Sequence, residues 1–107
     1  MTQIRLDLEA LAEEIASFCE RWGIATLSLF GSAVREQLRA DSDVDVIVAP
    51  LSASRWTALD LVTMREELVS LFGRPVDLLT TRGLATSRNS ARAMEILSTA
   101  RVIYAAA

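Results

Sequence analysis

With 107 residues, a net charge of −3 and a pI near 4.9, the chain can build one hydrophobic core and is too short for two, so a single domain spanning 1–107 is expected. All eleven basic residues are arginine, and the absence of lysine and histidine excludes a Schiff-base lysine, a P-loop, a Ser-His-Asp or Cys-His pair and a histidine-ligated zinc. The acidic balance and the scattered arginines also argue against nucleic acid as a main partner.

From the N-terminus, Ile4, Leu8, Leu11, Ile15, Phe18 and Trp22 recur at three- and four-residue spacing with glutamates between them, which predicts an amphipathic helix closed by Gly23. Its acidic polar face suits cover for a sheet rather than an anionic membrane surface. Leu27–Phe30 reads as a short strand that stops at Gly31-Ser32. A few helix-compatible residues run on to Arg39, and a polar link at Ala40–Ser42 leads into Asp43-Val44-Asp45-Val46-Ile47-Val48. Pro50 stops that strand, Leu51–Arg55 is a loop, and a second long helix is expected from Trp56 to Phe72, closed by Gly73. Its apolar arc takes in Leu61, Val62, Met64, Leu68, Val69, Leu71 and Phe72, wider than the usual stripe of about 100°. One side of that arc is available to a partner, although core contact explains most of it. Pro75–Thr80 is a third strand, a polar link carrying Arg82, Gly83 and Arg88 follows, then a helix near Ser90–Leu97 and a last strand at Val102-Ile103-Tyr104. Helices between strands predict an α/β domain: a small mixed sheet with helices packed mainly on one side. The lone Cys19 cannot form an intrachain disulfide, and no signal peptide or membrane span is visible, so a cytoplasmic protein is expected.

Two acids interrupt a run that otherwise reads as a core strand. Side chains alternate along a strand, so Asp43 and Asp45 share one face while Val44 and Val46 point to the other. Two like charges side by side are unfavourable unless a cation or partner compensates them. Asp77 interrupts the next strand in the same way. Three carboxylates on one face repel, yet hard Mg²⁺ accepts carboxylate oxygens and nucleotide phosphates in one octahedral shell. Taken separately, the acids have blander readings, as strand-end residues in solvent, and Pro75-Val76-Asp77 is also an ordinary beginning for a strand. A calcium loop opening at Asp41 fails, because Val46 stands where the glycine belongs and Ser52 where the glutamate belongs.

Gly31-Ser32, ten residues, then Asp43-x-Asp45 resembles the signature of the DNA polymerase β nucleotidyltransferase superfamily, in the form of its minimal nucleotidyltransferase (MNT) domains. The stretch Gly31-Ser32-Ala33-Val34-Arg35-Glu36 is similar to that family's turn, departing from it at Val34 and Glu36, and Ser42-Asp43-Val44-Asp45 to its acidic strand. The segment from Gly73 to Thr80 looks like its third-carboxylate strand. The resemblance implies the polymerase β-like fold and transfer of AMP from ATP to a hydroxyl. It further implies two Mg²⁺ ions held by Asp43, Asp45 and Asp77, with Asp77 at the second metal and accepting the proton. It assigns Gly31, Ser32 and Arg35 to the triphosphate. A glycine before a helix lets backbone and a serine hydroxyl approach phosphate closely, which fits the first two; Arg35 reads equally well as a solvated helix residue. MNT proteins of this size are typically antitoxins paired with a HEPN toxin, whose tyrosine they adenylylate. The alternative is a non-catalytic antitoxin or regulatory module that neutralises its partner by binding alone.

Overall fold

The alternation in Leu27–Phe30 and Val44–Val48 gives one strand surface to each of two core clusters, and this division governs the architecture. The computed structural model describes residues 3–5, 8–30, 37–39 and 43–106, with 3–5 and 37–39 described by their backbone. In chain order the elements are β1 (Gln3–Arg5), α1 (Ala12–Trp22), β2 (Ile24–Phe30), β3 (Gln37–Arg39), β4 (Val44–Pro50), α2 (Ala58–Phe72), β5 (Val76–Thr80), α3 (Thr81–Ala85), α4 (Ser90–Thr99) and β6 (Arg101–Ala105). Four strands form a mixed sheet in the order β5-β4-β2-β6, with β4 and β5 parallel and the other pairs antiparallel. β1 and β3 pair separately as an antiparallel couple.

Leu27, Leu29, Val44, Val46, Val48 and Val76 turn to the face covered by α1 and α2, where they meet Ile15, Phe18, Met64, Leu68 and Phe72. This is the larger core and the expected main layer of helices. On the opposite face Phe30 and Ile47 meet Leu84 of α3 and Ala93 and Ile96 of α4, a smaller cluster. Each fully buried aliphatic side chain contributes roughly 1.5–3 kcal/mol, so the first face holds the fold and the second is left freer for chemistry.

Local chemistry sets the helix limits. Thr57 and Asp60 form a capping box: the Thr57 hydroxyl accepts from Asp60 N–H at 3.1 Å and the Asp60 carboxylate from Thr57 N–H at 2.8 Å, so α2 begins at Ala58 rather than Trp56. Trp56 instead lies ahead of the helix, donating its indole N–H to the Trp22 carbonyl at 2.9 Å. The two long helices are joined where Arg21 (2.9 Å) and the Trp22 indole (3.1 Å) both donate to the Glu67 carboxylate. Of the wide α2 arc, Met64, Leu68 and Phe72 are buried, Leu61, Val69 and Leu71 are half-buried against the core, and Val62 is exposed. Burial drives the Cys19 thiol up to about 12, with the neighbouring Glu20 adding to it, so it stays protonated and inert.

Three further expectations are corrected. The first helix starts at Ala12, not near Ile4; Ile4 lies in β1 and Leu8 in the turn that follows. Residues 37–39, read as the tail of a short helix, form β3. The other residues expected there, Gly31, Ser32 and Arg35 among them, lie outside the described residues. The link at Arg82 and Gly83 is α3, begun by the Thr80 hydroxyl accepting from Gly83 N–H at 2.9 Å. Among the described residues no helix is long and apolar enough to cross a membrane.

Gly23 and Gly73 close α1 and α2 in left-handed conformations, with φ of 65° and 72°. A Cβ at Gly73 meets open space, whereas one at Gly23 collides with the Ser54 hydroxyl, which donates to the Gly23 carbonyl at 2.7 Å. Gly73→Ala should therefore cost about 1–2 kcal/mol, the backbone penalty alone. Gly23→Ala should cost about 0.5–1.5 kcal/mol more, because the Ser54 hydroxyl must turn away and give up its hydrogen bond; equal losses in urea unfolding would contradict the Ser54 contact.

Candidate functional site

The register of one parallel strand pair brings the acids together. Val44 N–H donates to the Pro75 carbonyl at 2.8 Å, and from there β4 and β5 run in step, with Val44 opposite Val76 and Asp45 opposite Asp77. α2 is the crossover that a parallel pair requires, and the Arg65 guanidinium donates to the Val76 carbonyl at 2.9 Å, tying that helix to β5 beside Asp77. On its other side Asp45 stands opposite Phe30, the last residue of β2 and the one before Gly31. A transverse row Phe30–Asp45–Asp77 thus crosses the sheet, with strands spaced about 4.8 Å apart.

Strand alternation then fixes the face. Val44, Val46 and Val76 go into the larger core, so Asp45 and Asp77 stand on the opposite face with Phe30 and Ile47. Asp43, just before β4, shares their parity and is exposed. Asp45 is half-buried, Asp77 exposed. The Asp45 carboxyl is held above its ordinary range, first by burial, then by the negative charges of Asp77 and Asp43, and Arg92 pulls it partly back. The electrostatics and the register agree that the three predicted acids form one neighbourhood.

Among the described residues no set of three or more acid, histidine or cysteine side chains is close enough to hold an ion by itself. The donor set nonetheless fits Mg²⁺: it is all carboxylate oxygen, on adjacent strands, and Mg²⁺ retains waters and phosphate oxygens in its shell, so it needs only one or two carboxylates from the protein.

Arg92 is the residue that sequence reasoning missed. The Asn89 side chain accepts from its N–H at 3.1 Å, capping α4 and placing Arg92 in the first turn. A cation at a helix N-terminus opposes the helix dipole, and that mismatch was the available signal. Arg92 and Asp77 line a cleft of about 290 Å³ between β5 and the α3–α4 pair. Arg82, from the segment read as a polar link, lines a different cleft with Trp56 and Pro50, at the far end of β4 from the acids.

The family model for the nucleotidyltransferase domain matches residues 11–101. Protein adenylyltransferase MntA of Thermococcus cleftensis is 37% identical over 60 residues, which are 56% of this chain and 59% of that protein, so the match spans less than two thirds of the relative. A solved structure of a protein provisionally identified as a minimal nucleotidyltransferase is 35% identical with a TM-score of 0.67, over 89% of this chain and 94% of that one. A chain in the structure of tri-AMPylated Shewanella oneidensis HEPN toxin in complex with MNT antitoxin shares the fold at a TM-score of 0.65 and 16% identity, over 94% of this chain and 74% of that one.

The raised Asp45 pKa makes a pH prediction. A carboxyl whose folded pKa lies above its unfolded value, about 3.9, costs the fold nothing while protonated in both states. It costs progressively more as pH rises from there through the folded value. Metal-free Asp45→Asn should match wild type at about pH 3, below the unfolded pKa, and be the more stable at pH 7, by a margin that solvent screening of this partly exposed group keeps under about 1 kcal/mol. Urea unfolding at both pH values checks this, and a variant less stable than wild type at pH 7 would mark Asp45 as structural.

Proposed function

The chain belongs to the nucleotidyltransferase domain family, and on that premise we propose that it is a Mg²⁺-dependent protein adenylyltransferase of the MNT type. As a single minimal domain it moves AMP from ATP onto a tyrosine of a HEPN-type partner and so acts as an antitoxin. The observation that carries this reading is the Asp45–Asp77 register with Asp43 beside it: paired carboxylates on a strand, held at a cost that a cation and a nucleotide would relieve. Support for the substrate and the partner comes from the relatives, one a protein adenylyltransferase and one found with an AMPylated HEPN toxin.

Asp43 and Asp45 would hold the cation that carries the triphosphate, and Asp77 would complete the site of a second. Bound Mg²⁺ supplies charge neutralisation on the phosphates and lowers the pKa of the attacking hydroxyl. Gly31 and Ser32, which follow β2 in the sequence, receive the phosphates, with Arg35 close behind in sequence. The tyrosine oxygen attacks the α-phosphorus, its proton passes to Asp77, an O–P bond forms, and pyrophosphate departs with the electrons of the bond that breaks. A phenol has an ordinary pKa near 10, so a carboxylate next to a cation suffices as base and the absent histidine is not needed. The reaction is set in the cytoplasm, where ATP is supplied and a lone thiol stays reduced.

Coexpression with the partner, addition of ATP and Mg²⁺, and intact mass measurement of the partner test the reading. The partner should gain the mass of AMP, the gain should vanish with EDTA, and the Asp43→Asn, Asp45→Asn double variant should lower the rate by at least about a thousandfold. Asp77→Asn should lower transfer comparably while retaining nucleotide. A partner that is neutralised without ever gaining mass, with protection surviving the double variant, would establish neutralisation by binding alone.

A further inference from the structure

Resting on the adenylyl-transfer reading, we infer that the cleft between β5 and the α3–α4 pair is the seat of the acceptor, taking the phenolic side chain of the protein substrate. Three observations lead there. The first is topological. Strand order places the end of β2 on one side of Asp45 and Asp77 of β5 on the other, and Gly31-Ser32 follow β2 directly in the sequence, so the adenylyl-transfer reading assigns the triphosphate to the β2 side. The β5 side, where the cleft begins at Asp77, is left for the second substrate.

Size is the second. The cleft measures about 290 Å³, at or below the lower end of the roughly 300–1,000 Å³ of sites that enclose drug-sized ligands. That is cramped for a nucleoside triphosphate and adequate for one aromatic ring. The third is the lining. Leu79, Leu84 and Ile96 give apolar walls, while Asp77, Ser87 and Arg92 bring polar groups to the same space. An aromatic alcohol needs this combination, an apolar bed for the ring and polar partners for its oxygen. There Asp77 takes the phenol proton as the oxygen attacks phosphorus, and Arg92 sets positive charge beside the oxygen that loses it. No additional reactant is required beyond ATP and the protein acceptor.

Ser87 is exposed, between α3 and α4 and outside both core clusters, so Ser87→Trp can fill the cleft without disturbing the fold. Ser87→Ala reports separately what is lost with the bond its hydroxyl accepts from Asn89 N–H at 3.2 Å. Transfer of AMP to the partner and affinity for a fluorescent ATP analogue with Mg²⁺ are measured in wild type and both variants. The expected result is kcat/KM for the protein acceptor at least tenfold lower in S87W than in S87A, with nucleotide affinity within twofold of wild type. Undiminished transfer in S87W would overturn the inference, and nucleotide affinity falling in step with transfer would give the cleft to the nucleotide instead. A wild-type protein that transfers no AMP to its partner would remove the adenylyl-transfer reading itself, an outcome distinct from the other two.

Discussion

The fold depends on keeping β4 and β5 in a register that carries a standing electrostatic cost. A shift of one residue would turn Val44, Val46 and Val48 out of the larger core, so the hydrophobic pattern locks each strand's facing. The Val44–Pro75 hydrogen bond then locks the pair lengthwise. The price is two carboxylates directly opposed, with a third just before β4, and the raised Asp45 pKa reflects burial first and that repulsion second. Strand burial dominates: a few fully buried valines and leucines, at about 1.5–3 kcal/mol each, outweigh one partly screened like-charge contact. The acids are thus kept in place by the opposite face of their own strands.

This explains why the two faces of the sheet differ. One carries α1 and α2, the Arg21 and Trp22 donors on Glu67, and most of the apolar burial. The other is covered by α3 and α4 through a small cluster, and between that cluster and the acids lies the cleft that reaches Asp77. Stability and the proposed chemistry fall on opposite sides of the same strands. Leu59 and Val62 of α2 and Met94 and Leu97 of α4 remain exposed, so apolar surface available to a partner occurs on both sides.

Much of this was legible in the sequence because the signals were strong and local. Valines alternating with acids identified β4 and its two faces, and glycines at 23 and 73 marked helix ends that do adopt left-handed φ. Asp77 was found by the same logic in the following strand. What failed was non-local or weakly patterned. β1 is three residues long and exists by pairing with residues 37–39, more than thirty positions away, so Ile4 was absorbed into the periodicity of α1. α3 has five residues and little apolar pattern, and it declares itself only through the Thr80 cap. Arg92 lies in the first turn of α4, and its relation to Asp45 across the chain could not be seen without the sheet that brings them near. Gly31, Ser32 and Arg35 lie outside the described residues, and their assignment rests on sequence.

The central claim is that Asp43, Asp45 and Asp77 are held together for a cation that arrives with a nucleotide. Electron paramagnetic resonance of Mn²⁺, titrated into the protein with and without a non-hydrolysable ATP analogue, tests it most directly by counting bound ions. The account predicts nucleotide-dependent Mn²⁺ binding in the wild type that disappears in Asp45→Asn and loses one ion in Asp77→Asn. Equal Mn²⁺ occupancy in the wild type and in both variants would contradict it.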